Sequence, residues 1–584
     1  MDAVRDPAIS EIVVMKSAQI GWTEILVNVI GYHIHLDPCP IMVMQPTLEM
    51  ARAWSKDRLA PMLRDTPVLR LVVGAPRARS GSNTIMHKHF AGGHLTIVGA
   101  NSPASLASRP IRLLLCDEVD RFPVSAGAEG DPYDLARKRT ATFLNRKILI
   151  GSSPTIRGAS RIEIAFELSD QRYYYVPCPE CGHMQRLVWA QVRWPDGRPE
   201  DAAYSCAACG VLIPEAAKHG MLLRGEWRAT RNPNGIAGFH VSELYSPWST
   251  WPEMAEEFLR AKKFPETFKT WVNLSLGETW EEDARALAAE GLMQRVEAYN
   301  AQSLPDGVQL VTAGVDVQDD RLEITVWGWG IDEEAWRVEH IVLRGDPASP
   351  QLWSECDHAL QRSYRTENGR ELKIEAACVD SGGHYTEQVY RFCGPLKRRR
   401  VWAVKGIGGA GRAAWPNKPS RVGKLRAELY LIGVETIIDT IYGRLRRVTH
   451  SGPGCLHFDA TTTEDWLAQL TSMKVLWRTV HGRKVRQWVP KYERIAQEGL
   501  DTTVYAYAAF LGRGGERVVR SRVGHVRAAD TVQHRVDVEQ DSVPESAEEK
   551  RVAQSVQEGA RILQRPSRPQ PVRRRDNWVN RWRW

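Results

Sequence analysis

Nowhere in the 584 residues is there an apolar run of the ~18 needed to cross a membrane. The N-terminus also lacks a charged segment followed by an apolar stretch, which argues against a secretory leader. These absences set the expectation of a cytoplasmic protein. Cysteine is sparse as well: ten in a chain of this length do not make the dense disulfide framework of a small secreted scaffold. No internal repeat is visible. Neither charge sign dominates, with 78 Lys+Arg against 70 Asp+Glu, and the net +8 permits nucleic-acid binding without requiring it.

What is present is a chain too long for one core, with the composition of an ordinary globular protein, 43% hydrophobic and 25% charged. Short apolar runs IVVM (12–15), PIMVMQPT (40–47), IRLLLCDEVD (111–120) and KILIGSSPT (147–155) alternate with helical patterns. Each runs into small or acidic residues. That is the pattern of a doubly wound parallel sheet with its site at the strands' C-terminal edge.

From Tyr173 to about Trp227 the pattern changes to short strands and turns around cysteines, and 250–300 reads as amphipathic helix. A second α/β region follows Pro305. The tail 513–584 carries 16 Lys+Arg against 10 Asp+Glu with little apolar periodicity, and reads as mostly disordered with one helix near 545–564. The expected domains are therefore a doubly wound domain at 1–170, a cysteine-bearing ribbon module at 171–232, a helical linker at 233–305, a second α/β domain at 306–512 and the basic tail 513–584.

KSAQIGWTE (16–24) resembles a phosphate loop whose lysine is misplaced. In G-x-x-x-x-G-K-[ST] the backbone amides cradle phosphates, the lysine reaches the terminal oxygens and the hydroxyl holds Mg²⁺. Here Gly21 and Thr23 fit that template, Trp22 stands at the lysine position, and Lys16 opens the loop. Residues Lys16, Ser17, Ala18, Gln19, Gly21, Trp22 and Thr23 are the nucleotide-binding candidates. The strand LLLCDEVD ends in two acids at the same sheet edge: Asp117 suits Mg²⁺ and Glu118 suits activation of the attacking water. A flexible lysine stem folding back across the loop supplies the missing cation. Ser153 and Thr155, after the next strand, are candidates for sensing the γ-phosphate, with an ordinary Ser/Pro turn as the alternative.

Cys178-x-x-Cys181 and Cys206-x-x-Cys209 are two knuckles, each with a glycine just behind, separated by 24 residues. Four thiolates at this spacing close a tetrahedral Zn²⁺ site with no open position. In LVTAGVDVQDDRLE, Val311, Ala313, Val315 and Val317 share one strand face while Thr312, Gly314, Asp316 and Gln318 share the other. Asp380 closes the apolar strand IEAACVD, and Asp501 lies on the apolar face of the helix LDTTVYAYAAFLG. Three such aspartates suit a two-metal site of the ribonuclease H-like plan, cutting a phosphodiester. Each taken alone also fits a cap or an ion pair.

The order of these stretches, with VNLSLGETW, GFHVSELYSPW, VDSGGHYTEQVY and AVKG, resembles the large terminase subunit of tailed phages, lambda-like (GpA) type, over roughly residues 10–512. The resemblance implies an ASCE-type P-loop ATPase that pumps double-stranded DNA into the procapsid and a nuclease that cuts the concatemer, with ATP, Mg²⁺ or Mn²⁺, and Zn²⁺. It places Lys16, Gly21 and Thr23 on the phosphate loop, Asp117 and Glu118 on the Walker B acids, Ser153 to Thr155 on the coupling motif, and Asp316, Asp380 and Asp501 on the nuclease acids. The implied partners are the terminase small subunit, the portal protein and further copies in a motor ring, in the host bacterial cytoplasm. Relatives carry a segment upstream of the phosphate loop that helps hold adenine. They also usually place an Asn-Glu pair before the last aspartate, where PKYERIAQEG leaves Glu498 as the candidate fourth acid. The competing expectations are a helicase-like translocase without nuclease activity and an inactive prophage remnant.

Overall fold

Strand Leu113–Asp117 is buried along its whole length, as are Glu11–Lys16, Ile41–Gln45 and Lys147–Ser152. Such strands need cover on both faces. Side-chain alternation supplies it: Ile12, Val14, Leu113 and Leu115 join one core, while Val13, Met15, Leu114 and Ile150 join the opposite one. The computed structural model describes residues 1–73, 83–106, 109–281, 289–409, 411–423, 426–447, 451–480, 483–492 and 495–524. The helix expected near 545–564 lies outside these residues.

The first sheet runs, strand by neighbouring strand, Glu226–Ala229, Arg172–Pro177, Ile236–Val241, Glu11–Lys16, Lys147–Ser152, Leu113–Asp117, Ile41–Gln45, Gly93–Gly99 and His87–Phe90. Its interior is parallel, and both edge pairs are antiparallel. One strand departs from expectation. Ile236–Val241 falls in the segment read as a helical linker, yet it pairs with Glu11–Lys16 over its full length. Arg172–Pro177, read with the cysteine segment, pairs beside it. The sequence signal was weak because IAGFHV is short and carries a glycine. That glycine is obligatory, since a Cβ on Gly238 would lie 1.8 Å from the Ser169 hydroxyl.

The second sheet runs Ser420–Val422, Ala427–Gly433, Val401–Ile407, Glu371–Asp380, Leu310–Val317, Arg321–Trp329, Ala335–Arg344 and Leu456–His457. Helix Glu498–Arg513 lies across it with Leu500 and Thr502 to Phe510 buried, and ends at left-handed Gly514 (φ 67°). It seats directly on Leu310–Val317: Thr312 donates to the Ala506 carbonyl at 2.8 Å, and a Cβ on Gly314 would meet the Thr502 carbonyl at 1.9 Å. The two halves join through helix Pro265–Trp271. Buried Arg444 reaches Glu266 at 2.9 Å on that helix and Glu333 at 2.7 Å in the second half.

Candidate functional sites

The loop after Glu11–Lys16 turns through left-handed Gln19 (φ 53°) and Gly21 (φ 83°) into helix Trp22–His35, whose N-cap is Gly21. The helix N-terminus therefore faces the space above the strand ends, a position that favours anions. Trp22, at the usual lysine position, turns inward, and its ring fills the place of a side chain on Gly151 of the neighbouring strand. The outer wall of the loop is Val272–Leu276 and Gly277: Ala18 N donates to the Leu274 carbonyl at 2.7 Å, and Ser17 N to Val241 at 2.9 Å. Gly277 (φ 63°) abuts the Lys16 backbone so closely that a Cβ would lie 2.8 Å from it.

Lys16 extends across the loop and donates to Glu118 Oε1 at 2.9 Å, the ammonium largely shielded from solvent. Thr23 Oγ1 and Gln45 Nε2 each lie 3.5 Å from Asp117 Oδ2. Burial, then the charge of Glu118, raise the Asp117 carboxyl above its ordinary range. Asp117 Oδ1 is buried without a hydrogen-bond partner, the condition of a carboxylate arranged to receive a cation, whereas Glu118 is held between Lys16 and Arg121, whose Nε lies 3.7 Å from Oε2. Glu118 is itself left-handed (φ 55°), a strained conformation of the kind that gathers at functional positions.

Ser153 is buried, and Thr155 Oγ1 donates to Asp120 Oδ2 at 2.9 Å. The Thr155 carbonyl accepts from Asn273 Nδ2 at 2.8 Å, so this segment bridges the acid strand's end and the wall of the phosphate loop.

All four knuckle cysteines converge, their sulfurs within 4.8 Å of one another. Cys178–Cys209 and Cys181–Cys206 are 3.9 and 3.8 Å apart, matching the ~3.8 Å edge of a tetrahedron with 2.3 Å metal–sulfur bonds. The knuckles are built alike. Cys178 N donates to His183 and Gly182 N to Cys178; Cys206 N donates to Val211 and Gly210 N to Cys206.

The three aspartates of the second half meet at one sheet edge. Val315 pairs with Val379 in parallel register, which sets Asp316 beside Asp380, and the helix on that face brings Asp501. Burial, then Asp316, Asp380 and Glu498, push Asp501 up to about 8. Burial raises Asp316 to about 6, against a 2.5 Å hydrogen bond from Gln318. Asp380 is raised by burial and held by the Tyr505 hydroxyl, with Lys405 nearby. Glu498 lies within the field of the aspartates but is paired to Arg321 at 2.9 Å, which also holds Glu323 at 2.6 Å. Lys405 and Tyr505 carried no assignment in the sequence. The signal for Lys405 was AVKG ending an apolar strand; Tyr505 read only as part of a helix face.

Loop, acid strand and carboxylate cluster are the features expected of an ATPase joined to a nuclease, and comparison with known proteins shows that class of protein. Residues 1–227 match the family described as "Phage terminase large subunit gpA, ATPase domain", and 236–518 match "Terminase large subunit gpA, endonuclease domain". The chain is 30% identical over 548 residues to the terminase large subunit of Escherichia phage lambda, covering 87% of this chain and 84% of that protein. It is 28% identical over 544 residues, with the same coverages, to that of Enterobacteria phage P21. Among solved structures, the large terminase of the thermophilic bacteriophage D6E aligns over 86% of this chain and 93% of that one, at 11% identity and TM-score 0.40.

The chain belongs to the lambda-type terminase large subunits, with an ATPase domain and an endonuclease domain that serve phage DNA packaging. The junction between the two family matches falls inside the first sheet, because Ile236–Val241 pairs with the phosphate-loop strand.

Proposed function

We propose that Lys16, Ser17, Ala18, Gln19, Gly21, Trp22 and Thr23 bind ATP, that Asp117 with Thr23 holds its Mg²⁺, and that Glu118 activates water. The observation that carries this reading is the 2.9 Å contact between Lys16 and Glu118. Without nucleotide the two charges neutralise each other. An arriving triphosphate competes for the ammonium, and the freed Glu118 carboxylate can orient water and accept its proton. The helix N-terminus and loop amides stabilise the phosphate charge. Ser153 and Thr155 carry the change in occupancy towards Asn273 and the second half.

In that half the fold reading is ribonuclease H-like, and Asp316, Asp380 and Asp501 form the donor set for Mg²⁺ or Mn²⁺. When bound, the ions supply charge stabilisation at the cleaved phosphodiester. Gln318 and Tyr505 fix two of the carboxylates in place. The four thiolates suit a structural Zn²⁺ in a zinc-ribbon module, since the site has no open position for a substrate. The partners consistent with this role are double-stranded phage DNA, the small subunit, the portal and further copies in a ring, within the host cytoplasm; among the described residues no helix is long and apolar enough to cross a membrane. DNA is then gripped through phosphates, with steep salt dependence and no base preference.

The test is a pair of assays on the full chain. Lys16→Ala and Glu118→Gln are expected to abolish ATP hydrolysis and retain Mn²⁺-dependent cleavage; Asp316→Ala is expected to do the reverse. A wild type that hydrolyses ATP without ever cutting DNA would favour a bare translocase. ATPase no higher than in the two variants would mark a remnant.

A further inference from the structure

One motif of the resemblance, GFHVSELYSPW, has no part in the chemistry above, and it ends in an unusual tryptophan. Trp248 is 70% exposed, the most open indole among the described residues, where Trp22, Trp251, Trp327 and Trp329 are buried. It does not stand in open surface. Its ring edge lies 3.5 Å from the point where a Cβ on Gly21 would sit, so it borders the phosphate loop at the helix N-terminus. Its backbone amide donates to Ser246 Oγ at 3.2 Å, and Ser246 is buried, which fixes the turn that presents the ring.

Sheet order gives this position meaning. Asp117 and Glu118 end the strand two places to one side of Glu11–Lys16, whereas Trp248 follows Ile236–Val241, the immediate neighbour on the other side. A triphosphate whose terminal phosphate points towards the acids and Lys16 has room for its nucleoside on the Ile236–Val241 side, where the exposed face of Trp248 stands beside Gly21.

We propose that Trp248 is the platform on which the nucleoside of the bound triphosphate rests, setting affinity for the base while taking no part in phosphoryl transfer. This rests on the reading of residues 16–23 as the phosphate site. A purine has a π-face that stacks on an indole, and an exposed ring can accept it without displacing core neighbours.

The experiment compares full-length wild type, Trp248→Ala and Trp248→Phe in steady-state ATP hydrolysis. ADP and inorganic tripolyphosphate serve as competitive inhibitors. Loss of base–aromatic stacking corresponds to a rise of about tenfold in the KM for ATP and the inhibition constant of ADP for Trp248→Ala. The kcat at saturation and the inhibition constant of tripolyphosphate stay unchanged, and Trp248→Phe recovers most of the ATP affinity. Unchanged KM in Trp248→Ala overturns the proposal. So does equal weakening of ADP and tripolyphosphate, which would make the ring a support of the loop. A wild type that hydrolyses no ATP but binds ADP with the same Trp248 dependence would fail the catalytic reading while sustaining this one.

Discussion

Replacing Asp501 by asparagine should stabilise the metal-free protein while destroying its nuclease. In the folded chain the Asp501 carboxyl is pushed up to about 8 by burial, then by Asp316, Asp380 and Glu498. In the unfolded chain it titrates near 3.8. Between those values the native state holds a proton that the unfolded state has released. Stability therefore falls as pH rises, by ~1.4 kcal/mol per pH unit. The deficit is about 3 kcal/mol at pH 6 and at most about 5 at pH 8, where Asp316 shares the repulsion. Asparagine keeps the shape and cannot ionise. In chelator, calorimetry should show the Asp501→Asn transition ~6–12 °C above wild type at pH 6. The gap should close near pH 4 and widen towards pH 8. Mn²⁺ should raise the wild-type transition and leave the variant nearly unmoved, because ligand binding to the native state is what stabilises it. A gap that is independent of pH, or a variant less stable than wild type at pH 7 in chelator, would refute the electrostatic account of the cluster.

Other consequences follow from the same geometry. Metal analysis should find about one Zn²⁺ per chain, lost in Cys178→Ser together with the fold of the segment it closes, since a structural zinc contributes folding energy directly. Gly314→Ala should cost on the order of 3 kcal/mol or more, measured by denaturant unfolding, because the added methyl meets the Thr502 backbone rather than a movable side chain. Arg444→Ala strips a buried cation from Glu266 and Glu333 and should cost ~3–5 kcal/mol. A change below ~1 kcal/mol there would mean the two acids find water instead.

The residues of both acidic clusters were legible in the sequence because each ends an apolar run or sits on an apolar helix face, where a carboxylate is costly without a role. The cysteine knuckles were legible for a simpler reason: two C-x-x-C pairs carry their geometry in the local turn, and the paired amide bonds of Cys178 and Cys206 repeat it. The membership of Ile236–Val241 in the first sheet was not legible. Parallel neighbours are chosen by a crossover of many residues, and the hydrogen bonds to Glu11–Lys16 leave no trace in local periodicity.

By itself the sequence determined which side chains could carry charge and metal, because strand alternation, helix period and knuckle spacing are local properties of the chain. Tertiary structure decided the rest: Lys16 folded onto Glu118, Asp316 beside Asp380 under the helix bearing Asp501, and Trp248 at the rim of Gly21. These contacts join residues from 64 to 227 positions apart in the chain. They depend on sheet order and on backbone approach at glycines such as Gly277 and Gly314, and no short window of residues encodes either.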